Sequence, residues 1–161
     1  MGEIIKVGMA DLKIAHSPDV LTTLGLGSCV GIALYDYAAR IGGLLHFMLP
    51  DSTRMHNNGN IAKFADTGLA ELIRQMEAAG ASKSRMIAKI AGGAKMFASV
   101  VKSDTLLVGE RNIEAARMNL QLQGIPLKAE DVGENFGRTV ELNTLDGSYV
   151  IKAIGKGVKT I

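Results

Sequence analysis

The sequence predicts an α+β domain in which mixed β-sheets are layered and two helices pack outside them. Two segments carry the 3.6-residue apolar period of amphipathic helices. Short apolar runs bounded by turn residues account for most of the rest. They precede, separate and follow the helices without regular βαβ alternation, the pattern of mixed sheets rather than a doubly wound one. At 161 residues, 47% of them hydrophobic, the chain can bury a core, and at roughly 100–200 residues per domain it fits one domain over residues 1–161.

In chain order, residues 4–7 and 12–15 are the weaker strand candidates. Residues 28–35 and 41–49 are apolar runs separated by a turn over 36–40, the pattern of a hairpin. Residues 52–60 are polar and read as a surface loop. The first helix is expected over 61–79, with Asn60 as N-cap, a stripe of Phe64, Leu69, Leu72, Ile73 and Met76, and Gly80 as its stop. A strand over 85–90 runs into Gly92-Gly93. The second helix is expected over 113–123, ended by Gly124 and Pro126. Strands over 127–132, 138–143 and 149–154 follow, the last two joined by Thr144-Leu145-Asp146-Gly147.

Composition excludes several classes of function. One cysteine cannot form an internal disulfide, which argues for a reducing compartment and against zinc fingers or iron–sulfur clusters held by this chain alone. Eighteen basic and 16 acidic residues leave a net charge of +2 without a basic run, so nucleic acid is not expected as a partner. The longest uncharged stretch, residues 20–35, is interrupted by Thr22, Thr23 and Ser28 and is too short to span a bilayer comfortably. Glu3 stands where a signal peptide needs basic residues, and Lys6 where N-myristoylation needs Ser or Thr. A cytoplasmic protein without membrane insertion is expected.

The informative stretch is Thr22-Thr23-Leu24-Gly25-Leu26-Gly27-Ser28-Cys29-Val30-Gly31, followed by His46 on the next strand. With the hairpin turn centred between Tyr37 and Ala38, Cys29 falls directly opposite His46. Gly31, Ala33, Gly42 and Leu44 then share their face, and Val30, Ile32, Leu34, Ile41 and Leu45 lie on the other. The second face suits a core; the first, mostly small, leaves room around a thiol and an imidazole. A one-residue slip would separate the pair. An imidazole beside a thiol can take its proton, the thiolate attacks a carbonyl, and water releases the thioester. Thr22 or Thr23 is the nearer candidate to orient the imidazole, because Asp36 falls in the distal turn. Backbone N–H groups of Gly27, Ser28 and Val30 are the candidate oxyanion donors. A lone cysteine or histidine on an apolar strand is more commonly a core residue, so the glycine turn is what favours chemistry.

Other readings of these residues fail on context. Gly27-Ser28-Cys29-Val30-Gly31 fits a nucleophile elbow, but strand rather than helix follows. Gly25-x-Gly27 lacks the third glycine of a dinucleotide site. His16, His46, His56 and Cys29 have no metal-ligand spacing, so neither metal nor cofactor is expected.

The chain also resembles the CheD family of chemoreceptor glutamine deamidases. The resemblance rests on residues 23–30 (TLGLGSCV), 46–52 (HFMLPDS), 64–67 (FADT), 89–97 (KIAGGAKMF), 109–112 (GERN), 130–133 (EDVG) and 137–140 (GRTV), in the family's order. It implies hydrolysis of selected glutamine side chains to glutamate in methyl-accepting chemotaxis receptors, with Cys29 as nucleophile, His46 as base and Thr23, rather than Thr22, as the third residue. It further implies a fold similar to the Cys-His toxin deamidases and, in some members, a CheC phosphatase partner that occupies the receptor-recognition surface. An adaptor with catalysis secondary, or an amidase acting on a small molecule, are the alternatives. In one departure, the family's second glycine after residues 130–132 is Glu134 here, which would be strained if that position needs positive φ. Gly92-Gly93 is expected to permit close packing, and Arg111-Asn112 to cap the second helix.

Overall fold

The computed structural model describes residues 2–54, 59–96 and 108–161. Its first strands are β1 (Ile4–Val7), β2 (Asp11–His16), β3 (Val20–Leu26), β4 (Val30–Asp36) and β5 (Ile41–Phe47). Helix α1 (Ala65–Ala78), β6 (Met86–Gly92), helix α2 (Val108–Leu122), β7 (Leu127–Val132), β8 (Arg138–Asn143), β9 (Tyr149–Ala153) and β10 (Gly157–Thr160) follow. One sheet has the order β2-β5-β4-β6-β7 and the other β1-β3-β8-β9-β10. The β1–β3 and β6–β7 pairs are parallel and the remaining pairs antiparallel. The expected α+β class, mixed sheets in layers with helices outside, is what the chain adopts.

Every residue of β4 and β5 is buried, because their sheet is the middle layer. On one face Val30, Ile32, Leu34, Leu45 and Phe47 pack with Leu69, Leu72, Ile113 and Leu120 of the helices. On the other Cys29, Ala33 and Leu44 pack with Leu21, Leu26, Val140, Leu142, Tyr149 and Ile151 of the second sheet. Alternation along the strands therefore divides two cores rather than core from solvent. The face expected to leave room is filled. A Cβ at Gly31 would lie 2.7 Å from Tyr149 Oη, and that hydroxyl donates to Gly31 O at 3.1 Å. The small residues there admit the second sheet, not a ligand.

The register also differs from expectation. Gly31, not Cys29, pairs with His46, and Asp36 pairs with Ile41. The cause is the loop. The Asp36 carboxylate accepts from Ala38 N and Ala39 N, and Arg40 closes the loop at φ +54°, so the turn takes in Tyr37–Arg40 and moves the pairing by two residues. A slip of two preserves the faces.

Asn60 caps as expected, its Oδ1 accepting from Ala62 N at 3.0 Å, but it caps a 3₁₀ turn (Ile61–Lys63). Phe64 is extended at φ −117° and separates that turn from α1. Helix α2 starts at Val108, five residues before the expected start, so Asn112 lies inside it and does not cap it. Residues 20–26 form β3 and residues 157–160 form β10, two strands the sequence pattern does not assign. Of the expected loop over 52–60, Ser52–Arg54 form a 3₁₀ turn, and residues 55–58, His56 among them, lie outside the described residues. Glu134 does adopt φ +61° behind Gly133 at +81°. Left-handed backbone costs an L-residue roughly 1–2 kcal/mol, and glycine returns part of that as unfolded-state entropy. Glu134→Gly should therefore stabilise the fold by about 0.5 kcal/mol in urea denaturation; a loss of stability would show that the Glu134 side chain holds the loop.

Candidate functional site

The candidate site lies at the seam between the sheets, where β3 ends and β4 begins. His46 is fully buried on the inter-sheet face of β5, and Thr23 reaches it from β3. Thr23 Oγ1 lies 2.8 Å from His46 Nδ1 and 2.7 Å from Val7 O. A carbonyl only accepts, so the single hydroxyl proton goes to Val7 O, and the Oγ1 lone pair takes the proton on Nδ1. Nε2 is thereby left bare, the tautomer a general base needs. It is buried and has no hydrogen-bond partner among the described residues. Thr22, the other candidate, instead donates to Val140 O and ties β3 to β8.

Cys29, 7% exposed, sits in the bend before β4, two residues before the partner of His46. It shares the inter-sheet core, diagonal to the imidazole, a placement for which Cα separations are about 7–8 Å. Burial pushes the thiol pKa up, opposed by its own backbone N–H. Burial lowers the His46 pKa to about 4, opposed by the charge of Asp11. Both shifts favour a resting pair of neutral thiol and neutral imidazole. The imidazole also couples stability to acid. Between its ordinary 6.5 and about 4 the unfolded chain holds the extra proton, so stability falls as pH drops through that window. The full loss is roughly 3 kcal/mol. Urea titrations at pH 7 and 4.5 should show wild type losing more stability than His46→Gln; equal losses would rule out a neutral buried imidazole.

The bend is fixed from behind. Gly27 O accepts from Ala94 N at 2.8 Å, Ser28 O from Asn112 Nδ2 at 2.9 Å, and Cys29 O from Gly93 N at 2.9 Å. In a trans peptide the next N–H points the opposite way from the carbonyl. The N–H groups of Ser28, Cys29 and Val30 are thus turned away from these anchors. Two of the expected oxyanion donors are otherwise engaged: the Gly27 N–H is spent on Gly25 O at 3.0 Å, and Val30 faces Phe47 in the β4–β5 ladder. Asn112, which sequence reasoning placed at a helix end, also donates to Met48 O at 2.9 Å and so joins the cysteine bend to the end of the histidine strand. The Gly109–Asn112 motif was the available signal. Gly92 and Gly93 serve close packing, as expected: a Cβ at Gly92 would lie 2.3 Å from Cys29 O.

Fold and site together define a small α+β protein with a cysteine–histidine–threonine constellation at the junction of two sheets. The family model described as CheD chemotactic sensory transduction matches residues 48–153, and the chain belongs to the CheD family. A Lachnoclostridium phytofermentans protein named probable chemoreceptor glutamine deamidase CheD is 55% identical over 161 residues, covering all of both chains. Proteins of the same name from Caldanaerobacter subterraneus subsp. tengcongensis and Syntrophomonas wolfei are each 52% identical, over 99% and 100% of this chain and 98% and 100% of theirs. Among solved structures, a Neisseria meningitidis protein of the DUF152 family shares the fold at TM-score 0.52 and 10% identity, over 82% of this chain and 64% of that one. Among the described residues no helix is long and apolar enough to cross a membrane, and no group of three or more His, Cys, Asp or Glu is placed to hold a metal ion.

Proposed function

We propose that this protein acts in the cytoplasm as a hydrolase that converts selected glutamines of methyl-accepting chemotaxis receptors to glutamate, through a thioester at Cys29. The observation that carries the mechanism is the Thr23–His46 contact, which leaves Nε2 as base. Nε2 takes the Sγ proton as sulfur attacks the amide carbon. The N–H group of Ser28, with that of Cys29 itself, is offered to the developing oxyanion, while Val30 belongs to the β4–β5 ladder opposite Phe47. The imidazolium then gives its proton to the amide nitrogen, the C–N bond breaks and ammonia leaves. Water, deprotonated by Nε2, attacks the thioester, releasing glutamate and returning the thiol. No cofactor enters the balance. The names carried by the full-length relatives support the substrate class.

Leu24 and Met96, 59% and 43% exposed, favour a protein partner at the same place. Met96 Cγ lies 3.2 Å from where a Gly27 Cβ would be, so this apolar rim adjoins the cysteine bend. A receptor helix would dock there, and a CheC-type phosphatase would compete for it; in the adaptor reading that docking is the main role.

Mass spectrometry of receptor cytoplasmic helices incubated with the protein should show a gain of one mass unit at specific glutamines, absent with Cys29→Ala. Full conversion by Cys29→Ala would end the thioester mechanism. Wild-type chemotaxis in a Cys29→Ala strain, lost on Leu24→Asp, would favour the adaptor.

A further inference from the structure

We propose that Asp11 is a positioning residue for His46: its carboxylate, set directly across the β2–β5 pair, stabilises the imidazolium formed when His46 takes the Cys29 proton. The inference deepens the reading above and rests on it. Asp11 pairs with His46 in the β2–β5 ladder. Directly opposed residues project to the same face, with Cβ atoms about 4.5–5.5 Å apart. That face is the inter-sheet one, since Ala15 of β2 and Leu44 of β5 both belong to the core there.

The carboxylate is held in place by backbone donors. Gly8 N donates to Oδ2 at 3.1 Å and Leu12 N to Oδ1 at 2.8 Å. It makes no bond to the ring, whose Nδ1 belongs to Thr23 and whose Nε2 is bare. Asp11 therefore acts through space, and its charge acts on His46 against the effect of burial. Among the described residues, the other groups around the ring leave that part to it. Thr23 from β3 is uncharged, Gly31 of β4 has no side chain, and Cys29 is the proton donor. Of the cations in the inter-sheet layer, Arg138 of β8 is paired with Asp131, and Lys89 of β6 donates to Gly147 O and Ile161 O. Lys13, next on Asp11's face, donates to Lys6 O. A neutral pair that must separate charge during reaction gains from a fixed anion beside the base and outside its hydrogen-bond chain.

The test is Asp11→Asn, which keeps an acceptor for the Gly8–Leu12 turn and removes the charge, with Asp11→Glu beside it. Each is measured in three ways: thermal unfolding, kcat and KM on receptor helices across pH, and titration of the His46 ring by NMR. In folded Asp11→Asn, kcat should fall about tenfold with KM little changed, and His46 should titrate at lower pH than in wild type. Asp11→Glu should recover part of both. Unchanged His46 titration in a folded Asp11→Asn protein overturns the proposal, whether or not kcat falls. Should wild type fail to deamidate receptors, the functional reading fails, and the ring titration still decides whether Asp11 governs His46.

Discussion

Replacing Thr23 with valine should reduce deamidation about a hundredfold or more while the protein stays folded. The two side chains have nearly the same shape, so the change removes a hydroxyl without opening a cavity. Two bonds are lost, one to Val7 O and one from His46 Nδ1. An unsatisfied buried group costs about 1–3 kcal/mol, so the melting temperature should fall by several degrees. The larger effect is on the ring. Without an acceptor at Nδ1 the proton can move to Nε2, where it blocks removal of the thiol proton, and general-base catalysis contributes roughly 10²–10⁴-fold. Thr23→Ser keeps the hydroxyl and should stay near wild type. Steady-state rates on a receptor helix decide the matter: wild-type kcat in Thr23→Val would mean that the hydroxyl does not set the tautomer.

Alanine at Gly92 should cost stability and activity together. Gly92 closes β6 opposite Val30 at φ +112°, and a Cβ there would lie 2.3 Å from Cys29 O and 3.2 Å from Val30 Cα. Both neighbours are backbone, so no rotamer change relieves the clash; the bend bearing Cys29 has to move. Strain and overpacking together should exceed about 3 kcal/mol in urea unfolding. Gly133→Ala is the control, because Gly133 has φ +81° and open space around its Cβ position. It should lose only about 1 kcal/mol, the backbone share alone. If Gly92→Ala costs no more than Gly133→Ala, close approach to the cysteine bend is not what that glycine provides.

Much of this arrangement is legible in the sequence alone. The faces of β4 and β5 followed from alternation, and parity alone kept Cys29 and His46 on one side even though the register was wrong by two. The register itself depends on Asp36 bonding two loop amides, which signals a turn but not its length, and on Arg40 taking a left-handed conformation without glycine. Small residues beside the pair were read as open space because a sequence does not say what lies across a face; Tyr149, more than 100 residues away, fills it. Thr23 could be separated from Thr22 only through the family resemblance, since both are buried and both donate to carbonyls. Asn112 is misplaced because helix α2 begins before its amphipathic pattern does, in a turn where Gly109 lies against the Gly93–Ala94 backbone and Asn112 faces the cysteine bend.

The three anchored carbonyls of the cysteine bend have a consequence for the timing of the reaction. In water, dipoles must swing round to meet a charge as it forms, and that reorientation is part of the barrier. Here Ala94, Asn112 and Gly93 hold the peptide groups of Gly27, Ser28 and Cys29 from the side away from the chemistry. Their orientation is settled when the strands and helix α2 come together, once per molecule. On the proposed mechanism each turnover then begins with dipoles already aligned, and the reorganisation that solvent would repeat every cycle is completed in folding.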